Sequence, residues 1–96
     1  MFAELETKLT LAELTRTEYF ALSEFAEATA AHAGDFVPAR EVFPDRNNQH
    51  RARREALRRV ALKAGPGVLR AAPDGSLSYR VTDAAREALG VPAVEA

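Results

Sequence analysis

Between Arg46 and Arg59 the chain reads Arg-Asn-Asn-Gln-His-Arg-Ala-Arg-Arg-Glu-Ala-Leu-Arg-Arg, a concentration of the side chains best suited to reading a nucleic-acid groove. Arginine donates two parallel hydrogen bonds to guanine O6 and N7, asparagine exchanges two with adenine N6 and N7, and further cations neutralise phosphates. Asn47, Asn48 and Arg51 are the candidates for base edges, and Arg46, Arg54, Arg58 and Arg59 for the sugar-phosphate backbone. The competing reading of such a run is a solvated basic face.

Catalytic chemistry has no comparable foothold. No nucleophile stands at a recognisable spacing from a base, no carboxylate pair converges, and Gly65-Pro66-Gly67 reads as a helix stop and not as a phosphate loop. The chain has no cysteine, and His32 and His50 are too few for a dedicated metal cage, so neither a metal nor another cofactor is expected. His32 reads as a complement to a helix C-terminal dipole. A non-enzymatic protein is the expectation.

The elements that would position the basic run follow from periodicity and caps. Phe2, Leu5, Leu9 and Ala12 suit one face of a helix over residues 1–14, and are expected to bury themselves in a dimer or against the next helix. Thr15 and Glu18 form a capping box, so a helix should start at Arg16. Its stripe of Tyr19, Leu22, Phe25, Ala26, Thr29 and Ala33 should face inward, with Glu18, Glu24 and Glu27 outward and a stop at Gly34. Pro38 opens a very short helix that ends about Phe43 before Pro44. A long basic helix follows from about Asn47 to Ala64, with Leu57, Val60, Ala61 and Ala64 on one side and Asn48, Arg51, Glu55, Arg58 and Arg59 on the other. His50 and Arg53 fall near its apolar side, either packing over the first helix of the domain or reaching phosphate from the helix end.

Two alternating runs, Val68 to Ala72 and Ser76 to Val81, flank Pro73-Asp74-Gly75 and predict a β-hairpin. Alternation puts Leu69, Ala71, Leu77, Tyr79 and Val81 inside and Arg70, Ser76, Ser78 and Arg80 outside. Arg70 and Arg80 are therefore candidates for the minor groove or its phosphates, against the reading that they guard an exposed sheet edge. Thr82 caps a last helix, Asp83 to Leu89, closed by Gly90 and Pro92.

Net charge is -1, but residues 1–45 carry -6, residues 46–70 carry +7 and residues 71–96 carry -2. The local excess of positive charge, and not the total, bears on an anionic partner. With 96 residues, 47% of them hydrophobic, the chain makes one small domain without room for a separate ligand-sensing unit. No apolar run approaches the roughly 20 residues that span a bilayer, and Met1-Phe2-Ala3-Glu4 lacks the basic start of a signal peptide, so a cytoplasmic protein without membrane attachment is expected. Eleven arginines against two lysines, with twenty alanines, point to coding in a GC-rich bacterium, phage or plasmid.

Helix, short helix, turn, long basic helix, hairpin and short helix is the order of a winged helix-turn-helix, a mainly α fold with a small β-hairpin. Leu14 to Leu22 resembles the first helix of the domain in the multiple-antibiotic-resistance regulator (MarR) family, and Tyr79 to Leu89 resembles that family's exit from the wing. Arg54-Glu55-Ala56-Leu57-Arg58-Arg59-Val60 is similar to the third helix of gluconate-type (GntR) repressors. The resemblance implies a winged-helix domain over residues 15–90, an N-terminal arm or helix at 1–14 that serves dimerisation, and a tail at 91–96. It also implies a transcriptional regulator that places the basic helix in the major groove of double-stranded DNA, with the hairpin on the flanking backbone. The turn rich in Asn and Arg, and the lack of long flanking helices, depart from the MarR pattern, so ligand sensing is not carried over. The alternative reading is a protein-docking module that presents its acidic N-terminal half to a transcription or replication component.

Overall fold

A computed structural model describes residues 2–94, with side chains from Leu5 to Val94. In chain order the elements are α1 (Phe2–Ala12), α2 (Arg16–Ala28), a 3-10 turn (Ala30–His32), β1 (Val37–Pro38), α3 (Ala39–Val42), α4 (Asn48–Ala64), β2 (Leu69–Ala71), β3 (Ser78–Val81) and α5 (Asp83–Leu89). The chain is thus mainly helical α+β, with one antiparallel sheet ordered β1-β3-β2. No helix among the described residues is long and apolar enough to cross a membrane.

The helix starts are set by side chains that satisfy otherwise orphaned backbone amides. Thr15 Oγ1 accepts from the Glu18 amide at 3.2 Å while Glu18 Oε1 accepts from the Thr15 amide at 2.9 Å, the reciprocal box expected from the sequence. Asn47 Oδ1 accepts from the His50 amide at the start of α4, and Thr82 Oγ1 from the Ala85 amide at the start of α5. Gly65 ends α4 at φ 77° and ψ -176°, a conformation that side chains with a Cβ essentially do not adopt, and Pro66 prevents continuation.

α2 stops before the expected position near residue 33. Thr29 Oγ1 donates back to the Phe25 carbonyl at 2.8 Å, and the chain tightens into the 3-10 turn. From α2, Leu22, Phe25 and Ala26 are fully buried against Ala56, Leu57 and Val60 of α4 and against Val81 of the sheet. Tyr19, expected inside, is 37% exposed. Glu18, expected outside, is 2% exposed, because α4 brings two cations over it.

β1 was not foreseen, since two residues carry no periodic signal; it is defined only by its partner, through the pairs Val37↔Tyr79 and Pro38↔Ser78. The hairpin forms with Leu69↔Val81, Arg70↔Arg80 and Ala71↔Tyr79 opposed, over shorter strands than expected. Leu69, Tyr79 and Val81 face the core as alternation requires, but Leu77 is 60% exposed at φ 55°. The turn extends through Leu77 because Asp74 Oδ1 holds the Ser76 amide at 3.0 Å, so strict alternation begins only at Ser78. Ser78 is buried and accepts a bond from the Ser76 hydroxyl, whereas Ala71 is exposed.

α5 is fastened to α2 by a residue with no sequence signal. Arg86 is 2% exposed, and its guanidinium donates to the Ala26 carbonyl at 2.6 Å and to Thr29 Oγ1 at 2.8 Å. Its charge lies at the negative end of the α2 dipole. Burial lowers the Arg86 pKa, and Asp83 partly opposes that shift.

α1 packs on α5, but not by the expected face. Thr7 and Leu11 are buried, while Leu5 and Leu9 stand 57% and 58% exposed; the side chain of Phe2 lies outside the described residues. Leu11 joins the common core, so α1 is part of the folded unit and not a detached arm. Deleting residues 1–9 is expected to lower unfolding free energy by about 1–3 kcal/mol in a denaturant titration, through lost helix and apolar burial. An unchanged midpoint would contradict that packing. The expected tail begins at Val91, and the Val94 amide donates to Ala30; residues 95 and 96 lie outside the described residues.

Candidate nucleic-acid interface

α4 presents three side faces to different tasks. Its inner face is the core. A second face meets α2 by ion pairs: Arg59 Nε lies 3.2 Å from Glu18 Oε2, Lys63 Nζ 2.9 Å from Glu18 Oε1, and Arg53 Nε 3.3 Å from Glu24. Arg53 also lies over the Phe20 ring, 6.0 Å from its centroid, which realises the packing alternative for that residue. Glu18 has its pKa lowered to about 2, first by the hydrogen bond from the Thr15 amide, then by Lys63, with burial opposing and Arg59 adding to the lowering.

This face corrects the helical-wheel placement of Arg59 beside Arg51 and Arg58. A guanidinium on a long stem is drawn around the helix to the buried carboxylate of Glu18. The charge segregation of the sequence is therefore partly neutralised in three dimensions, with acidic groups of the N-terminal half lying on the basic helix. Glu18, Glu24 and Asp45 are engaged within the fold.

The third face is the outer one. Arg51 and Arg58 lie on it, Arg51 3.5 Å from Glu55 in an exposed pair and Arg58 without an acidic partner among the described residues. Exposed pairs of this kind contribute little to stability and leave the cation available. Together with Arg40 of α3 and Arg54, these residues line a cleft of about 430 Å³ between α4 and the tip of the hairpin. Gly75, Ser76 and Leu77 form its hairpin side, Pro38 and Ala39 another wall, and Tyr79 also lines it.

The expected site residues are divided by this geometry. Asn48 and Arg46 are exposed at the start of α4. Asn47 is exposed too, but its Oδ1 is committed to the cap, leaving only its amide nitrogen for a base. Arg54 is folded back, donating to the Phe43 carbonyl at 2.8 Å and to Asp45 at 3.3 Å, and so holds the turn before α4. His50 Nδ1 lies 2.9 Å from the Pro44 carbonyl and serves the same turn.

Arg70 and Arg80 do not join the cleft. They are direct cross-strand neighbours, and alternation from Tyr79 puts them on the other face of the sheet. Arg70 is exposed; Arg80 is half-buried with its Nε lacking a hydrogen-bond partner. Like charges directly opposite one another destabilise an antiparallel pair, so this pair favours an anion. Arg40 and Tyr79 were missed as site residues. Arg40 sits in a four-residue helix, and Tyr79 had been absorbed into the inner face of the strand.

Comparison of the chain with protein-family models, with curated proteins and with solved structures finds no match.

Proposed function

We propose that the chain is a winged-helix protein that binds double-stranded DNA without catalysis, as a small transcriptional regulator. The observation that carries the reading is the exposed outer face of α4, with Arg51, Arg58 and Asn48, set beside the hairpin tip across an arginine-lined cleft. A helix of this width enters a major groove, and a neighbouring hairpin then meets the flanking backbone. Element order and the sheet order β1-β3-β2 support the winged-helix assignment.

In this reading Asn48 and Arg51 contact base edges, and Arg40, Arg46 and Arg58 neutralise phosphates. Arg59, Lys63 and Arg53 hold α4 on α2 and act on DNA only through that placement. Arg70 and Arg80 attract the backbone beyond the hairpin. Substituting Arg70 by glutamate should replace a repulsive cross-strand pair by an attractive one, raising stability by roughly 0.5 kcal/mol while weakening every duplex alike. A thermal melt and a binding isotherm on two unrelated duplexes check both halves; a change of base preference would contradict a backbone role.

Homodimerisation belongs to the same proposal. Leu5 and Leu9 stand exposed on α1, and a shallow groove beside that helix is lined by Ala12, Tyr19 and Phe20. A two-fold pairing supplies the second copy of α4 that recognition of two half-sites about 34 Å apart requires. Sedimentation of the wild-type chain against Leu5→Glu/Leu9→Glu tests it. The expected result is a dimer that the substitutions dissociate, and a wild-type monomer at all concentrations would overturn it.

A further inference from the structure

Tyr79, one of the residues lining the arginine-lined cleft, carries an uncommitted hydroxyl. Tyr79 is 4% exposed and its ring meets Phe25 edge-on, with centroids 6.3 Å apart and planes at 85°. That contact fixes the ring. The hydroxyl makes no hydrogen bond with any described residue, although Tyr79 lines the cleft and feels the charge of Arg58. Burial pushes its pKa up, with Arg58 pulling the other way, so at neutral pH it is a proton donor. Phenylalanine would supply the same packing against Phe25. The hydroxyl therefore serves something that enters the cleft.

The remaining lining defines that ligand. Arg58 and Arg40 have no acidic partner among the described residues, while Arg51 is shared with Glu55 at 3.5 Å. Planar guanidiniums and a phenol are donors without acceptor capacity toward an anion, suited to two oxygens on one centre. Pro38, Ala39 and Leu77 give apolar walls, which accept the carbon surface of a sugar.

We propose that this cleft grips one backbone phosphodiester of the bound duplex, with Tyr79, Arg58 and Arg40 as its donors. The proposal rests on the DNA reading above and adds a neutral donor at a single phosphate. Leu77 shapes the cleft from the hairpin side: its carbonyl accepts from the Ala39 amide at 3.1 Å, and its left-handed backbone, unfavourable for leucine, holds the hairpin tip against α3.

Tyr79→Phe separates this proposal from its foundation. The variant should melt with the wild type, since the hydroxyl makes no internal bond. Its affinity for duplex DNA should fall about tenfold, equally across sequences, because a hydrogen bond to a charged group is lost. The slope of log K against log salt should stay unchanged, since a neutral donor releases no counterion, whereas Arg58→Ala should reduce that slope by about one unit. Wild-type affinity in Tyr79→Phe would overturn the phosphate grip and leave DNA binding standing; failure of the wild-type chain to bind any duplex would remove the DNA reading itself. Stabilisation of the wild type by adenosine monophosphate that is lost in Tyr79→Phe would assign the cleft to a free phosphate monoester and overturn the backbone assignment.

Discussion

Glu18→Gln is expected to destabilise the fold by about 2 kcal/mol at pH 7, and the deficit should vanish in acid. Glutamine keeps an oxygen for the Thr15 amide but removes the charge that holds Arg59 and Lys63. The folded-state pKa of about 2 lies below the ordinary 4.5, so the carboxylate contributes stability above pH 4.5. That contribution is lost as pH falls from 4.5 toward 2, where wild type and variant converge. The full shift corresponds to roughly 3 kcal/mol, reduced here because Arg59 and Lys63 are about half exposed and screened by solvent. In a chain of this size the change amounts to roughly 10 °C in Tm. Urea titrations of both proteins between pH 7 and about pH 2 make the comparison. A deficit independent of pH would mean that the carboxylate charge, in the cap bond and in the ion pairs alike, contributes nothing.

The second large effect is on binding. Arg51→Ala/Arg58→Ala should lower duplex affinity by a hundredfold or more, since a base contact contributes about 1–3 kcal/mol and a phosphate contact adds to it. Folding should be unaffected: both side chains are exposed, and the one pair broken, Arg51 with Glu55, lies in solvent. The single variants should differ in kind. Loss of Arg51 should relax preference at one base pair, and loss of Arg58 should flatten the salt dependence by about one unit. Equal loss of affinity with no change in either property would place both residues away from DNA.

Features set by local interactions are legible in the sequence, and those set between distant elements are not. Caps are local, and Thr15 and Thr82 were legible together with α5, whose bounds follow from Thr82 and Gly90, whereas Asn47, read as a base contact, is the cap of α4. The core of α4 was legible because Ala56, Leu57 and Val60 repeat with the helical period. What periodicity misassigned was decided between elements. Glu18 turns inward because Arg59 and Lys63, four residues apart on α4, converge on it from more than forty positions away. Their spacing was the available signal, since it puts two cations on one stripe facing the α2 entrance to the core. Arg86 gave no such signal: its partners are a backbone carbonyl and a threonine hydroxyl, neither visible as charge. Leu77 left the inner face because the turn consumed one more residue than the alternating pattern allowed.

For the candidate site, the sequence located the basic helix but not the division of its cations. Three of the five arginines on α4, Arg53, Arg54 and Arg59, hold the fold together, and the anion-facing set is completed from α3 by Arg40 and from the sheet by Tyr79. This division also lowers the expected electrostatic contribution. Arg40, Arg46, Arg58, Arg70 and the half-buried Arg80 remain for phosphate and Arg51 for a base, which implies a salt slope of about -4 to -5 and not the steeper value that a +7 segment would suggest.

DNA binding is decided by titrating the wild-type chain into a fluorescently labelled duplex at about 50 mM salt and repeating the isotherm at about 200 mM. Micromolar or tighter binding is expected at the lower salt, weakened by roughly two to three orders of magnitude at the higher, in line with that slope. Absence of binding to any duplex at about 50 mM salt, where even non-specific contact registers, would contradict it and leave the chain as a protein-docking module.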